Sequence, residues 1–120
     1  MNKYHAEHTW VRIEGNTALV GITQHAQDTL GDIVFIDFAP AGTLARQGTV
    51  AGVVESVKAA ADVHMPASVE ILEHNEALRA DPSLANSDPE GAGWFYKVKL
   101  SNAAELDGLM DDAAYQAIAS

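Results

Sequence analysis

The 120-residue chain contains no cysteine, which excludes disulfide frameworks, thiolate metal sites, cysteine nucleophiles and thiol redox chemistry by the polypeptide itself. Any redox function has to come from a cofactor. Basic residues are scarce, 7 Lys and Arg against 17 Asp and Glu, for a formal charge of −10. A chain so balanced repels polyanions, so nucleic-acid binding is not expected. No apolar run approaches membrane-spanning length, and Met1 to His8 is polar and unlike a signal peptide. A cytoplasmic protein without membrane contact is therefore expected. Also missing are a G-x-S-x-G elbow, a G-x-x-x-x-G-K-[ST] phosphate loop, a G-x-G-x-x-G run and H-E-x-x-H. No catalytic constellation is expected, and the chain reads as a non-enzyme.

What is present suffices for a core: 48% of residues are hydrophobic and 20% charged, in a length typical of one domain. No boundary, low-complexity segment or tandem repeat divides the chain, so residues 1–120 are expected to form a single domain. Trp10 to Ile13 and Thr17 to Ile22 flank Glu14-Gly15-Asn16 and read as a β-hairpin. Thr23 is placed to cap a short helix from Gln24 to Leu30 that stops at Gly31. Asp32 to Phe38 is apolar on both faces for most of its length and reads as a central strand. Thr49 to Glu55, then Val63, Val69 and Ile71, continue the β pattern, and Trp94 to Leu100 alternates as a strand with one wet face. Asn75 and Asp81-Pro82 resemble caps of short helical turns. Asn102 and Glu105 have capping-box spacing, and Leu106, Leu109, Met110, Tyr115 and Ile118 give the tail an apolar stripe at helical spacing. A mainly β domain with a short helix near residue 27 and a C-terminal helix follows.

The candidate metal ligands are weak. His5 and His8 bracket Glu7, but residues three apart in an extended segment point to opposite faces, so no metal site is expected. His25, His64 and His74 are scattered and read as surface or core-edge groups. Asp111-Asp112 reads as a helix-start pair favoured by the macrodipole.

One segment carries chemistry. Of four lysines, at 3, 58, 97 and 99, Lys58 stands alone within Glu55-Ser56-Val57-Lys58-Ala59-Ala60-Ala61-Asp62. A short helix there would pair Glu55 with Lys58 at i,i+3, worth only ~0.2–0.5 kcal/mol. Met65-Pro66 would end it after about two turns, which are marginal in water. The other reading is a hairpin presenting Lys58 at its tip, flanked by alanines that do not crowd an approaching enzyme. A lone lysine so placed suits acylation by an activated carboxylate.

This segment resembles the lipoylation motif of the glycine cleavage H-protein family nearly letter for letter. The resemblance runs through Lys3-Tyr4, Trp10-Val11, Val20-Gly21-Ile22-Thr23, His25-Ala26-Gln27, Leu30 to Phe35, Asn75 to Leu78, Asn86 to Pro89 and Gly93-Trp94. It implies a barrel-sandwich hybrid of two small β-sheets, with lipoate in amide linkage to Lys58. It also implies that Glu55 is a recognition contact for the lipoate ligase or lipoyl transferase, and that Asp62 lies by a cleft sheltering the loaded arm. The partners implied are a pyridoxal-phosphate glycine decarboxylase, which loads an aminomethyl group, a tetrahydrofolate-dependent aminomethyltransferase, which takes the one-carbon unit, and the flavoenzyme dihydrolipoamide dehydrogenase. A monomer is expected.

Two positions depart from the family pattern. Thr9 stands where glutamate usually precedes the tryptophan and binds the amine of the loaded arm. A hydroxyl in place of that carboxylate forgoes about 1.5–3 kcal/mol for a well-made contact, with Glu7 and Asp62 as the candidates to compensate. Val69 replaces a glycine of a Ser-Gly turn, so a different backbone is expected there. Thr9 also brings in an alternative, an H-like lipoate-binding protein that carries sulfur in bacterial sulfur oxidation with a heterodisulfide-reductase-like complex. In either case acylation of Lys58 takes one of 7 cations and moves the balance from −10 to −11. Partner surfaces should then be basic and docking weaker in salt.

Overall fold

The computed structural model describes residues 2–119. Runs rich in β-branched and aromatic residues become strands, broken where glycine, proline or asparagine supplies turn geometry. Strand β1 (Asn2–His5) is followed by the hairpin of β2 (Thr9–Glu14) and β3 (Thr17–Ile22). Helix α1 (Gln24–Leu30) is capped by the Thr23 hydroxyl, which accepts from the Ala26 amide, and ends at Gly31. Then come β4 (Ile33–Phe38), the short β5 (Leu44–Ala45), β6 (Val50–Ser56), β7 (Ala60–His64) and β8 (Val69–His74). Two short helices, α2 (Glu76–Ala80) and α3 (Leu84–Ser87), precede β9 (Tyr96–Leu100). A 3-10 turn over Ala103–Gly108 leads to the C-terminal helix α4 (Asp112–Ala119).

The strands form two antiparallel sheets, six-stranded β1-β2-β3-β9-β8-β5 and three-stranded β4-β6-β7, which agrees with the expected two-sheet hybrid. Between them lies one apolar cluster that includes Val20, Ile36, Val54, Val63, Met65, Ile71, Phe95 and Val98. A second cluster, Tyr4, Trp10 and Tyr115, seats α4 on β1, with the Tyr4 and Tyr115 rings stacked at 4.7 Å. The Trp10 indole N–H, fully buried, donates to the carbonyls of Ile22 and Pro89.

Tyr96 on β9 joins the sheets. Its hydroxyl donates to the Ala51 carbonyl of β6 at 2.7 Å and accepts from the Ala39 amide just past β4 at 2.7 Å. Burial pushes its phenol up to about 12, so the donor proton stays in place. The ring comes so close that a Cβ on Gly52 would lie 2.8 Å from this hydroxyl, and Gly52 also holds φ +124°, a conformation open to glycine.

Several expectations are corrected. Asp32 to Phe38 is an edge strand, not a central one: β4 pairs only with β6, and its Val34 and Phe35 are exposed. Apolar residues on both faces meant burial on one side and exposure on the other. Residues 94 and 95 precede β9 instead of starting it. The tail stripe is divided: Leu106 belongs to the 3-10 turn, Met110 bridges to Tyr4, and only Tyr115 and Ile118 lie on α4, with Ile118 exposed. Asn102 does cap, accepting from the Ala104 amide. Glu105, however, reaches away from that turn and accepts from the Ser68 amide and hydroxyl at 2.7 and 2.9 Å. At residue 69, where a backbone unlike the family's glycine turn is expected, the chain is extended. Val69 opens β8 in register with Leu100 and Ala45, its side chain buried in the core.

Tyr96→Phe removes one partner from two backbone groups at the sheet junction. A loss of about 1–3 kcal/mol is expected, read in urea denaturation as a lower midpoint with an unchanged slope.

Candidate functional site: the Lys58 hairpin and its cleft

The helix considered for residues 55–62 does not form. Valines and a glycine extend β6, the chain turns at Ser56-Val57-Lys58-Ala59, and β7 returns with Val54 opposite Ala61 and Glu55 opposite Ala60. Ser56 makes the turn rigid. Its amide donates to the Ala59 carbonyl at 2.8 Å, while its hydroxyl donates to that carbonyl and accepts from the amides of Lys58 and Ala59. This is the local side-chain to backbone bonding at which serine excels in turns. The Val57 amide then donates to the Asp32 carbonyl at 3.0 Å, pinning the turn to the start of β4.

That start is itself held. Half-buried among α1, α3 and β4, Asn86 accepts from the Ile33 amide and donates to the Gly31 carbonyl and to Gln27. Asn86 thus fixes the residues on both sides of Asp32, the anchor of the lysine turn. The Lys58 stem lies over Gly31: a Cβ there would stand 3.3 Å from Cε. Gly31 adopts φ 77°, ψ −155°, a region essentially restricted to glycine. Lys58 is exposed, and among the described residues it makes no ion pair, with Glu55 or any other carboxylate.

Beside this turn opens a cleft of about 320 Å³, at the lower end of small-molecule site sizes. One wall is β7 with Ala61, Asp62, Val63 and His64, the other is Ile22 and the α1 face of His25, Ala26, Thr29 and Leu30, and Glu7, His8 and Thr9 close the end. Three predicted cleft residues, Glu7, Thr9 and Asp62, are therefore together. Glu55 lies apart from them, exposed on the outer face of β6. Thr9 is buried and committed: its hydroxyl donates to the His64 carbonyl at 2.8 Å, a second tie between the sheets. Glu7 is mostly exposed and sits 4.0 Å from the His64 ring.

Sequence reading missed the histidines. His8, weighed with His5 only as a metal ligand, and His25 and His64, treated as scattered, converge on the cleft. The His8 and His25 rings lie 4.5 Å apart. His8 Nδ1 is 2.6 Å from the Tyr115 hydroxyl, which is 2.6 Å from the Thr23 hydroxyl. His8 is also the one non-glycine residue at positive φ among the described residues, at 67°. Burial lowers its basicity, and His25 beside it adds to that; burial likewise lowers that of His5. No group of three or more metal-ligating side chains occurs among the described residues. No helix among them is long and apolar enough to cross a membrane.

The apolar lining by Ile22, Ala26, Leu30, Val54 and Val63, with the acids Glu7 and Asp62 also lining the cleft, suits a flexible aliphatic arm with a polar or cationic end. Comparison with known proteins gives the family. The family model for glycine cleavage H-protein matches residues 2–120. The chain belongs to the glycine cleavage H-protein family. The glycine cleavage system H protein of Bradyrhizobium diazoefficiens is 52% identical over 114 residues, covering 95% of this chain and 93% of that one. That of Thermotoga maritima is 50% identical over 116 residues, covering 97% and 94%. The crystal structure of the glycine cleavage system H protein from Mycobacterium marinum superposes with a TM-score of 0.89 at 36% identity, covering 98% and 94%. Thr9 and Val69 therefore sit within a chain similar to glycine cleavage proteins over nearly its whole length.

Two outcomes follow. Gly31→Ala forces a side chain into a glycine-only conformation beside the Lys58 stem, and a loss of about 1–3 kcal/mol is expected by urea denaturation. An unfolded histidine takes its proton near pH ~6.5, whereas folded His8 resists it. The unfolded state then binds more protons below that pH, and stability falls as pH drops through it. His8→Asn, a residue that tolerates positive φ, should flatten this decline, measured as the urea midpoint between about pH 7 and 5.

Proposed function

We propose that this H-protein family member acts in glycine cleavage as a lipoyl carrier, with lipoate in amide linkage to Lys58. The observation that carries this is Lys58 itself: an exposed amine, without an ion pair among the described residues, at the tip of a turn braced by Ser56 and pinned to Asp32, next to a cleft lined by apolar side chains and two acids. For attachment, the neutral Nζ attacks an activated carboxyl carbon. The C–N bond forms, the activating group leaves with the carbonyl carbon's electron pair, and one proton passes to solvent. When bound, lipoate supplies the dithiolane sulfur that the cysteine-free chain lacks.

The protein's own part is presentation and shelter. Ser56 and Asn86 keep the lysine turn in one place, so partner enzymes meet an ordered target. The apolar walls shield an aliphatic arm from water, and Glu7 and Asp62 supply negative charge toward a cationic cargo while Thr9 serves as the tie to His64. Glu55, exposed one residue before the turn, is offered as the contact read by the lipoate ligase or lipoyl transferase. Glycine decarboxylase, aminomethyltransferase and dihydrolipoamide dehydrogenase are the proposed partners. The chain is read as a single cytoplasmic domain, residues 1–120, a monomer without catalysis of its own. Relatives in the glycine cleavage system favour this pathway over sulfur transport with a heterodisulfide-reductase-like complex.

The test is intact-protein mass spectrometry after expression in a lipoate-competent host. One added lipoyl group on Lys58 is expected, absent from Lys58→Arg, and an unmodified Lys58 would sink the reading. For the cleft, Glu7→Gln with Asp62→Asn should slow loading by glycine decarboxylase by about tenfold or more, the scale of losing one charge-assisted contact of about 1.5–3 kcal/mol.

A further inference from the structure

Glu55 and Asp62 aside, the reading above leaves the outer face of the three-stranded sheet without a role, yet that face adjoins Lys58. In β4 the ladder pairs Ile33 with Ser56 and Phe35 with Glu55, which leaves Val34 as the extra residue of a bulge. Val34 and Phe35 are 55% and 53% exposed, and Val57 in the turn is 67% exposed. Register places Phe35, Glu55 and Ala60 in one row across the face, and Asp37, Val53 and Asp62 in the next. The Val57 amide on the Asp32 carbonyl holds turn and strand together, so the large apolar side chains lie on the β4 flank of Lys58. The β7 flank offers only Ala59, Ala60 and Ala61.

The charges of this region point one way. Segments 32–38 and 50–64 carry Asp32, Asp37, Glu55 and Asp62 as carboxylates, His64, and Lys58 as the one permanent cation. An exposed aromatic on an edge strand is a liability when left open and a strong anchor when a partner covers it. An enzyme that acylates Lys58 must bring its reacting centre to bond distance of Nζ. A typical footprint of about 800 Å² around that point extends well past the turn. Of the two flanks it can cover, only the β4 side offers side chains large enough to fill a pocket.

We propose that the patch of Val34, Phe35 and Val57 is the docking anchor for the enzyme that attaches the acyl group to Lys58. That enzyme's complementary surface is an apolar pocket rimmed by arginine or lysine. The proposal rests on Lys58 being the acylation site and adds what is recognised beyond it. Phe35 fills the pocket, and the surrounding carboxylates steer a basic partner onto the turn.

The experiment acylates the purified full-length apo chain with lipoate ligase, ATP and lipoate, following mass gain at Lys58. Phe35→Ala should lower kcat/KM about thirtyfold, a central anchor's loss, mostly through KM. Phe35→Thr, a strand-compatible residue, should do the same, with thermal midpoints confirming that both variants are folded. Leu44→Ser, at a 77% exposed apolar position on the edge strand β5 of the other sheet, should leave the rate unchanged. Asp37→Asn should reduce the salt dependence of kcat/KM. Wild-type kcat/KM in both folded Phe35 variants overturns the docking proposal alone. No acylation of the unsubstituted chain overturns the Lys58 reading and this proposal with it. An equal loss in Leu44→Ser overturns the assignment of the anchor to the β4 face.

Discussion

A single phenolic hydroxyl holds the two sheets in register. Tyr96 belongs to the six-stranded sheet but hydrogen-bonds to backbone of β6 at Ala51 and to the chain just past β4 at Ala39. Its proximity leaves no room for a side chain at residue 52, and Gly52 meets that requirement together with its φ of +124°. A second tie, from the Thr9 hydroxyl to the His64 carbonyl, lies at the cleft end of the sandwich. The Thr9 tie joins two residues that line the cleft, one at its end and one on the β7 wall. A buried polar link is specific in a way that apolar burial is not, since its donor and acceptor must meet within a few tenths of an ångström.

The position of Thr9 gives its chemistry a different sense from the one its sequence suggested. Read alone, it replaced a carboxylate and weakened a binding site. In the fold it is buried and its proton is spent on a carbonyl of the opposite sheet. Negative charge in the cleft comes instead from Glu7 at its end and Asp62 on the β7 wall. Val69 behaves similarly. A side chain there extends β8 and fills core, while Ser68 beside it is held by both oxygens of Glu105.

Local patterns were legible because their physics is local. The Gly15 hairpin, the Thr23 cap with its Gly31 stop and the lysine turn each depend on residues within a few positions of one another. Strand rank was not legible: apolar residues on both faces of residues 33–38 look the same whether a second strand or open solvent lies beyond. Nor was Glu105, whose spacing from Asn102 fits a capping box but whose carboxylate finds Ser68, a partner 37 residues away. The histidines at the cleft come from three segments, and no window of sequence contains them together. Of the candidate site, Lys58 on its turn and the cleft residues Glu7, Thr9 and Asp62 were named from the sequence, while the walls belong to the tertiary structure.

The braced turn has a further meaning for the cleft beside it. A group tethered to Lys58 searches only the volume its linker allows, so the cleft meets it at an effective concentration on the order of millimolar. Affinity at that weak level would already divide the proposed arm between docked and free states. Tighter binding would hold the cargo back from the next enzyme, and looser binding would leave it in water. A shallow cleft of about 320 Å³, with two acids and an apolar wall, is suited to that middle ground. Its rigidity, inherited from the Tyr96 and Thr9 ties, keeps the division between the two states a property of the cargo's charge more than of the protein's motion.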